Sequence, residues 1–322
     1  MPQEMLQPIR GIVPPLATPL TAAGEVDVPA LARLVDHVIA GGVHGLFALG
    51  TTGEGPSLAA AEQRLVLSTV AAQADGRVPV LAGVSAASLG ESLALAAHAA
   101  DCGCDAIVAT PPFYFAVSQA AIADYYRQLA RTAPLPTVLY NMPAVAKLTI
   151  EPETISQLID EPGIVALKDS SGDLNYFAAA LRAVSRRVDF PVLVGPEHLL
   201  ARTLAMGGAG GVCGGANIFP TVFASLYDAH LCDDAPRVAA AHQLVELIQK
   251  VYAAGGPLSV PSVIAQCKAA LEARGLCRRT TKPPIAAATD AQAAQVAQIV
   301  QHVQQQLQPQ QSLAAHPADG PS

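Results

Sequence analysis

The sequence predicts an α/β fold, a (β/α)8 TIM barrel with a C-terminal helical extension. Short β-branched apolar runs alternate with Ala- and Leu-rich amphipathic segments as far as about Tyr227, which is typical of repeated βαβ units. Beyond Tyr227 this strand pattern stops and helical patterns follow. The 322 residues suit one barrel with an appendage, because such barrels occupy roughly 250 residues. We therefore predict a barrel core over residues 8–227 and a helical extension of the same domain over residues 228–303.

Eight runs have the composition of buried strands, and helical start and stop signals lie between them. Ser57 precedes one amphipathic segment, Gly41 and Gly42 follow another, and Pro152 lies early in a third, as expected at helix ends. An open doubly wound sheet would show the same alternation, so the pattern favours the barrel without excluding the open sheet. The predicted strands lie near residues 12–17, 44–49, 78–82, 106–109, 137–140, 164–168, 192–194 and 210–213.

The C-terminal part of the chain contains two segments with the pattern of helices, residues 236–254 and residues 262–275. From Gln304 the chain is rich in Gln, Pro and Ala. Too few large apolar groups remain there to offset the entropy lost when the chain is ordered. The sequence therefore predicts a disordered tail over residues 304–322.

The composition argues against nucleic-acid and membrane partners. With 26 acidic and 19 basic residues the chain has a formal charge of -7, which attracts neither nucleic acid nor an anionic membrane. The uncharged stretch 203–227 is long enough to span a bilayer, but its glycines, Asn217 and Pro220 favour a helix end, a buried strand and a turn. The first residues contain Glu4 and no apolar core segment, unlike a signal peptide, so a cytoplasmic protein is predicted.

The cysteines and histidines do not predict a metal site. Six cysteines in a chain without a secretory signal are typical of reduced thiols. Cys102 and Cys104 form a close pair without a nearby histidine cluster, which favours buried small side chains over zinc ligands. The glycine run 207–215 leads into a strand instead of opening a helix, unlike a dinucleotide loop. Neither a metal nor a cofactor is expected. The histidines that lie on separate segments without ligand spacing are His37, His44, His98 and His198.

Lys168 is the first candidate catalytic residue, because barrel enzymes place catalytic groups where strands end. Along residues 165–170, alternation puts Ala166, Lys168 and Ser170 on one face of the strand. A lysine amine enclosed by apolar neighbours is favoured in its neutral form, which can attack a ketone and form a Schiff base. A lysine paired with a carboxylate is the alternative that this pattern leaves open.

A second candidate element is the loop Gly50–Glu54, with the sequence GTTGE, directly after an apolar strand. Glycine permits close backbone approach at Gly53, and the hydroxyls of Thr51 and Thr52 with exposed N–H groups suit a small carboxylate. A plain turn between a strand and a helix would have a similar sequence.

Two tyrosines complete the candidate set. Tyr114 lies in TPPFYF after the fourth predicted strand, and Tyr140 ends the fifth in LYNMP. A tyrosine hydroxyl can move protons between an amine, a carbinol and a substrate hydroxyl. Ordinary packing with a hydrogen-bonded hydroxyl is the alternative for each.

The order of these motifs, GTTGE, TPPFYF, LYNMP, VALKDSSGD and GGAGGVCGGAN, resembles the dihydrodipicolinate synthase and N-acetylneuraminate lyase family. The similarity runs from Gly11 to about Gly275. It implies that Lys168 forms an imine with pyruvate and that Tyr140 relays protons and positions the substrate. It also implies that Thr51 and Thr52 hold the pyruvate carboxylate.

The same resemblance implies that further residues contribute to the site. Tyr114 matches a tyrosine that completes the proton relay from the neighbouring subunit, so a homotetramer built as a dimer of dimers is expected. Val212 matches an apolar position whose backbone carbonyl faces the pyruvate moiety. Neither role follows from the residues alone.

One departure from the family pattern concerns the second substrate. The synthases have Arg-Thr-Gly after Y-N-x-P, whereas this chain has Ala144, Val145, Ala146 and Lys147. Valine cannot bind a carboxylate as arginine does, although Lys147 is a partial substitute. Glu197, after the seventh predicted strand, could accept hydrogen bonds from substrate hydroxyls or simply stand in the first turn of the next helix.

Together these observations predict a lyase or aldolase that forms a Schiff base. It would join pyruvate to an aldehyde, or cleave a 2-keto-3-deoxy sugar acid or a similar hydroxy-2-oxo acid. The alternatives are a dehydratase of such acids, a dihydrodipicolinate synthase, and a sensor that binds a 2-oxo acid without catalysis.

Overall fold

Eight parallel strands form one sheet in the order β1-β8-β7-β6-β5-β4-β3-β2, and all eight predicted strands are confirmed. The computed structural model describes the backbone of residues 9–314 and the side chains of residues 9–307. The strands are β1 Gly11–Ile12, β2 Leu46–Ala48, β3 Val80–Gly83, β4 Ala106–Ala109, β5 Thr137–Asn141, β6 Ile164–Asp169, β7 Val192–Val194 and β8 Gly210–Gly211.

The segment after β1 closes the sheet against β2, which makes a barrel and excludes the open sheet. Pro15 forms a parallel bridge with Phe47, and Leu16 N donates to Phe47 O at 2.9 Å. The first strand was predicted over residues 12–17, but β1 ends at Ile12. Pro14 and Pro15 have no backbone N–H to donate to a neighbouring strand, so regular pairing stops before them.

Helices cover the outside of the barrel, and capping residues mark several of their ends. Asp27, for example, accepts a hydrogen bond from Ala30 N at 3.0 Å, and Gly42 follows the same helix with a φ of 82°. The helices of the described chain are α1 Val28–Ala40, α2 Ala60–Ala74, α3 Leu89–Asp101, α4 Gln119–Thr132, α5 Pro143–Ala146, α6 Pro152–Leu158, α7 Leu174–Val184, α8 Leu200–Ala205, α9 Pro220–Leu231, α10 Ala235–Ala253, α11 Val260–Ala273 and α12 Asp290–Ala314. Short 3-10 turns lie at Gly55–Ser57, Glu197–Leu199 and Gly214–Asn217.

Two apolar cores follow from the alternation of side chains along the strands. Ala166 belongs to the core inside the barrel, whereas Leu167 belongs to the core between the sheet and the helices. Lys168, the next residue along β6, therefore points inward, as the sequence predicted. The inner core also contains Phe47, Tyr140 and Val212.

The C-terminal extension consists of α10, α11 and α12, which pack on one another and on the strand ends. Both α10 and α11 contact the 3-10 turn Gly214–Asn217. The two predicted helices of the extension are confirmed as α10 and α11. Helix α9 crosses residue 227, where the sequence analysis placed the end of the barrel core.

The predicted tail is wrong for residues 304–314, because α12 continues to Ala314. Gln and Ala are good helix formers, and Val296, Val300 and Val303 bury one stripe of this helix. This stripe anchors the helix at its start, so the sparse apolar content after residue 304 does not end it. Residues 315–322 lie outside the described residues.

The described part of the chain lacks two features that would suggest other functions. No group of three or more His, Cys, Asp or Glu side chains there is placed to hold a metal ion. No helix there is long and apolar enough to cross a bilayer.

Candidate active site

A cavity of about 400 Å³ opens at the carboxyl ends of the strands, where barrel enzymes carry their active sites. Its walls come from the barrel on one side and from α10 and α11 on the other. The cavity brings together the predicted site residues Thr51, Thr52, Tyr140, Lys168, Glu197 and Val212.

Lys168 stands at the end of β6 with 4% of its surface exposed. Its Nζ lies 3.9 Å from the centroid of the Tyr140 ring and 4.8 Å from the centroid of the Phe47 ring. In the described chain the lysines paired with carboxylates are Lys268 and Lys282, not Lys168. The amine of Lys168 therefore lines the cavity without a carboxylate partner in the described chain, in contrast to the alternative that the sequence left open.

Tyr140 joins Lys168 to the loop after β2. It pairs with Lys168 in the parallel register between β5 and β6, and its hydroxyl lies 3.1 Å from Thr51 Oγ1. Burial raises the pKa of Tyr140, but the charge of Lys168 and hydrogen bonds from Thr51, Lys168 and Ser170 outweigh burial and hold this pKa below its ordinary value. A lowered pKa brings this phenol closer to the working pH, where it can both give and accept a proton.

The loop Gly50–Glu54 is held in one shape by close backbone contacts. Gly53 O accepts a hydrogen bond from Thr18 Oγ1 at 2.6 Å, and Glu54 N donates to Thr51 O at 3.1 Å. A Cβ atom on Gly53 would lie 2.7 Å from Leu16 O, so this position needs glycine. Gly53 thus packs against Leu16 and Thr18, while Thr51 and Thr52 line the cavity.

Val212 and Tyr114 differ in their relation to the site. Val212 lies one residue beyond β8, is 5% exposed and lines the cavity. Tyr114 is 75% exposed and is not part of the cavity lining. Its ring packs edge to face on Phe115, with 5.0 Å between centroids. The described chain by itself does not bring Tyr114 to Lys168.

Glu197 lines the far part of the cavity, which is the part next to α10. It also stands in the helical turn before α8, so the structure is compatible with both of its predicted roles. It begins the 3-10 turn Glu197–Leu199 and is 3% exposed. Its Oε2 accepts a hydrogen bond from Gly215 N at 2.6 Å, whereas Oε1 has no hydrogen-bond partner among the described residues. Burial raises the pKa of Glu197 to about 7, although the hydrogen bond from Gly215 N and the nearby polar side chains of Gln249 and Tyr252 oppose this rise.

Ser170, Gln249 and Tyr252 are among the cavity residues that the sequence analysis did not assign to the site. Ser170 lines the cavity beside Lys168, and the shared face along β6 was a signal that could have identified it. Gln249 and Tyr252 reach the cavity from α10, and no motif marks them, because only the packing of the extension brings α10 over the barrel. The hydroxyl of Tyr252, like Oε1 of Glu197, is buried without a partner among the described residues.

The segment that departs from the synthase pattern forms α5. Ala144 lines the cavity, and Val145 lines a smaller space of about 70 Å³ beside Tyr140. Lys147 is exposed, and its Nζ donates to Ala144 O at 2.9 Å. The ammonium of Lys147 therefore caps the end of α5 by binding a backbone carbonyl of that helix, and it does not line the cavity.

A family model described as the dihydrodipicolinate synthetase family matches residues 8–303. The chain belongs to this family. The prediction from the order of the motifs is confirmed, and so is the barrel fold. A dihydrodipicolinate synthase structure from Bacteroides thetaiotaomicron aligns with a TM-score of 0.88 and 38% identity, covering 92% of this chain and 100% of that one.

The relatives within the family carry names of more than one activity. A 4-hydroxy-tetrahydrodipicolinate synthase from Salinibacter ruber is 35% identical over 267 residues, which are 82% of this chain and 87% of that protein. YagE of Escherichia coli, whose name proposes a 2-dehydro-3-deoxy-D-gluconate aldolase, is 35% identical over 254 residues, 78% of this chain and 83% of YagE. The structure of YagE in complex with pyruvate has a TM-score of 0.87 at 31% identity and covers 92% of this chain and 99% of that one. Synthase and aldolase both act on carbon–carbon bonds, and this family member is a carbon–carbon lyase.

Proposed function

We propose that the protein is an aldolase in which Lys168 forms a Schiff base with pyruvate or the 2-oxo end of a larger acid. The observation that carries this proposal is the buried amine of Lys168, which has no carboxylate partner in the described chain and faces a cavity. The hydroxyl pair of Tyr140 and Thr51, 3.1 Å apart, supplies a proton relay beside it. The pyruvate complex of YagE supports the choice of ligand.

In the cleavage direction, Nζ of Lys168 attacks the C2 carbonyl of a 4-hydroxy-2-oxo acid, and loss of water gives the imine. Tyr140 takes the proton of the C4 hydroxyl, and the bond between C3 and C4 breaks. Its electron pair moves into the imine, which becomes an enamine, and the aldehyde leaves. Protonation of the enamine at C3 and hydrolysis of the imine release pyruvate. Hydroxyls and N–H groups of the loop Gly50–Glu54 would hold the substrate carboxylate throughout.

Borohydride reduction in the presence of pyruvate tests this proposal. An imine at Lys168 is reduced to a stable secondary amine, and mass spectrometry of the digested protein locates the added mass. Labelling should require pyruvate and should survive a chelator, since no step uses a metal. Labelling of another lysine, with Lys168 unmodified, would exclude the proposed mechanism. Binding of pyruvate without turnover of any acid or aldehyde would favour the sensor instead.

For the second substrate we propose a hydroxylated aldehyde, or the corresponding 2-keto-3-deoxy sugar acid, in preference to an acidic aldehyde. Val145 stands where the synthases have an arginine, and Lys147 is engaged with Ala144 O. A substrate carboxylate in the far part of the cavity would lack a cation and would lie near Glu197, whereas the unpaired atoms of Glu197 and Tyr252 suit hydroxyls.

This preference is tested with kcat/KM for aspartate semialdehyde and for a panel of hydroxyaldehydes and 2-keto-3-deoxy acids. We expect a hydroxylated substrate to be preferred by about ten- to a hundredfold, the value of one charge-assisted hydrogen bond. Val145→Arg should raise kcat/KM for aspartate semialdehyde relative to kcat/KM for the hydroxylated substrates. If aspartate semialdehyde is the best partner of the unmodified enzyme, the protein is a synthase, like its Salinibacter ruber relative. Release of water with the carbon chain intact would identify a dehydratase.

We further propose a homotetramer built from dimers, in which Tyr114 of one subunit completes the site of its neighbour. The exposed pair of Tyr114 and Phe115 supports this, because exposed aromatic rings are common at protein interfaces. Tyr114→Phe should lower kcat without changing the thermal unfolding midpoint. A fully active monomer in light scattering at assay concentration contradicts the shared site. The cytoplasmic location stays a prediction from the sequence.

A further inference from the structure

Glu54, the last residue of the loop GTTGE, has a buried charge that the proposed reaction does not use. Its Oε1 lies 2.5 Å from Nζ of Lys268, and neither side chain is exposed. Its Oε2 accepts a hydrogen bond from the backbone N of Lys282 at 2.6 Å. Lys268 belongs to α11, and Lys282 follows α11, so the C-terminal extension binds both oxygens of Glu54.

Stability alone is a weak reason for such an ion pair. Removing two charges from water is expensive, and replacing a buried pair with apolar residues is often neutral or stabilising. What an ion pair with defined geometry provides is a fixed relative position of the two segments that carry it. Here those segments are the loop of the barrel and a helix of the extension.

Backbone contacts connect the position of Glu54 with the reacting groups. Glu54 is in the left-handed region, with a φ of 56°, and its N–H donates to Thr51 O at 3.1 Å. Thr51 Oγ1 in turn lies 3.1 Å from the hydroxyl of Tyr140. A shift of the Glu54 carboxylate would therefore move Thr51 relative to both Tyr140 and the carboxylate of a bound substrate.

The segment that carries Lys282 is itself anchored to the barrel side. Nζ of Lys282 donates to Gly24 O at 2.8 Å and lies 2.5 Å from Glu62 Oε1. Glu62 also accepts a hydrogen bond from Ala59 N at 2.9 Å, at the start of α2. These bonds hold Lys282 in place, and with it the backbone N–H that donates to Glu54 Oε2.

We propose that Glu54, Lys268 and Lys282 are positioning residues that hold the loop Gly50–Glu54 in the shape that binds the carboxylate of a 2-oxo acid. The C-terminal extension is then part of the catalytic machinery and not only a cover for the barrel. This inference rests on the proposed function, because its measure is the binding of pyruvate at Lys168.

The test uses the full-length double variant Glu54→Gln with Lys268→Met, which removes both charges and leaves an acceptor for Lys282 N. The measured quantity is the pyruvate concentration that gives half-maximal labelling of Lys168 in a short exposure to borohydride. We expect this concentration to rise at least about tenfold, with faster amide hydrogen exchange at Glu54 and Gly55 and an unchanged unfolding midpoint.

The matched control removes an ion pair on the outer surface. Arg131 and Glu161 lie 2.8 Å apart, with Arg131 67% exposed, and Arg131→Met with Glu161→Gln should leave the half-maximal concentration within about twofold. If the buried double variant does not fold, the same measurement is made on Lys282→Met. The Lys282 side chain is 20% exposed, so its replacement should disturb folding less than the loss of the fully buried pair. For Lys282→Met a threefold or larger rise supports the proposal.

The outcomes separate this inference from the proposed function. Absence of pyruvate-dependent labelling in the unmodified protein refutes the proposed function. If the unmodified protein is labelled, an unchanged half-maximal concentration in the folded double variant refutes the positioning role alone. Where the double variant does not fold, a rise below threefold in Lys282→Met refutes it.

Discussion

The two ends of the cavity differ in how their polar groups are satisfied. At the barrel end, the hydroxyls of Tyr140 and Thr51 are paired with each other at 3.1 Å. At the end covered by the extension, Oε1 of Glu197 and the hydroxyl of Tyr252 have no hydrogen-bond partner among the described residues. The polar groups at the barrel end are hydrogen-bonded before any ligand binds, whereas these groups at the end covered by the extension are not.

This difference suggests a division of labour between chemistry and recognition. Groups that are paired in advance need no rearrangement when charge develops during the reaction. A buried polar group without a partner destabilises the fold by about 1 to 3 kcal/mol, and a ligand hydroxyl would remove that penalty. We therefore propose that the reaction takes place at the barrel end and that the end covered by the extension selects the substrate.

The largest effect is expected from Lys168→Arg at the barrel end. The positive charge is kept, but a guanidinium does not form the imine. Turnover should fall on the order of 10³-fold or more, and pyruvate-dependent labelling should disappear. Lys147→Arg is the control, because that ammonium is exposed and bound to Ala144 O. Equal losses in both variants would remove Lys168 from its assigned role.

A smaller loss is expected from Tyr140→Phe, which removes only the hydroxyl of the relay. Proton transfer of this kind contributes about 10²- to 10⁴-fold, so kcat should fall in that range. Because the pKa of Tyr140 in the free enzyme lies below its ordinary value, kcat/KM should rise with pH below about pH 10 in the unmodified enzyme. The variant should lack that rise.

The control for this variant is Tyr126→Phe. The hydroxyl of Tyr126 is buried, donates to Ala109 O at 2.9 Å and interacts with the backbone of Tyr140, but Tyr126 does not line the cavity. Its loss should lower the free energy of unfolding by about 1 kcal/mol and leave kcat unchanged. If the two variants have the same kcat, Tyr140 is a packing residue.

The smallest effect, and the one that tests the extension end, is the pH dependence of stability in Glu197→Gln. The folded protein holds the proton of Glu197 up to a pKa of about 7, whereas the ordinary value is 4.5. The folded state thus binds more protons between these values, and stability falls as pH rises through them, by up to about 3 kcal/mol.

Glu197→Gln should abolish this fall, so the variant should match the unmodified protein near pH 4.5 and exceed it in stability at pH 8. Chemical denaturation at both pH values measures the difference. Glu153→Gln, at an exposed position in the first turn of α6, should not change the pH dependence. If Glu197→Gln and the unmodified protein instead differ in free energy of unfolding by the same amount at both pH values, the carboxyl of Glu197 keeps its ordinary pKa.

Local sequence patterns predicted the barrel end of the site well. Alternation along β6 placed Lys168 inside the barrel, and the position of Tyr140 at the end of β5 placed it next to Lys168 in the parallel register. Apart from Ser170, the residues that the sequence analysis missed or misjudged were those without a local pattern. Tyr252 reaches the cavity from α10, and α12 passes residue 304 because its start is anchored by buried valines.

The sequence by itself determined the alternation of strands and helices, the family, and the candidate residues that we propose for the reaction. Strand periodicity and strand ends are local properties, and parallel strands in a barrel bring their ends together whatever the loops do. The tertiary structure alone decided which groups close the far end of the cavity and that Glu54 binds Lys268. Such contacts join segments far apart in the chain, and their geometry depends on how the extension packs on the barrel, which no short motif encodes.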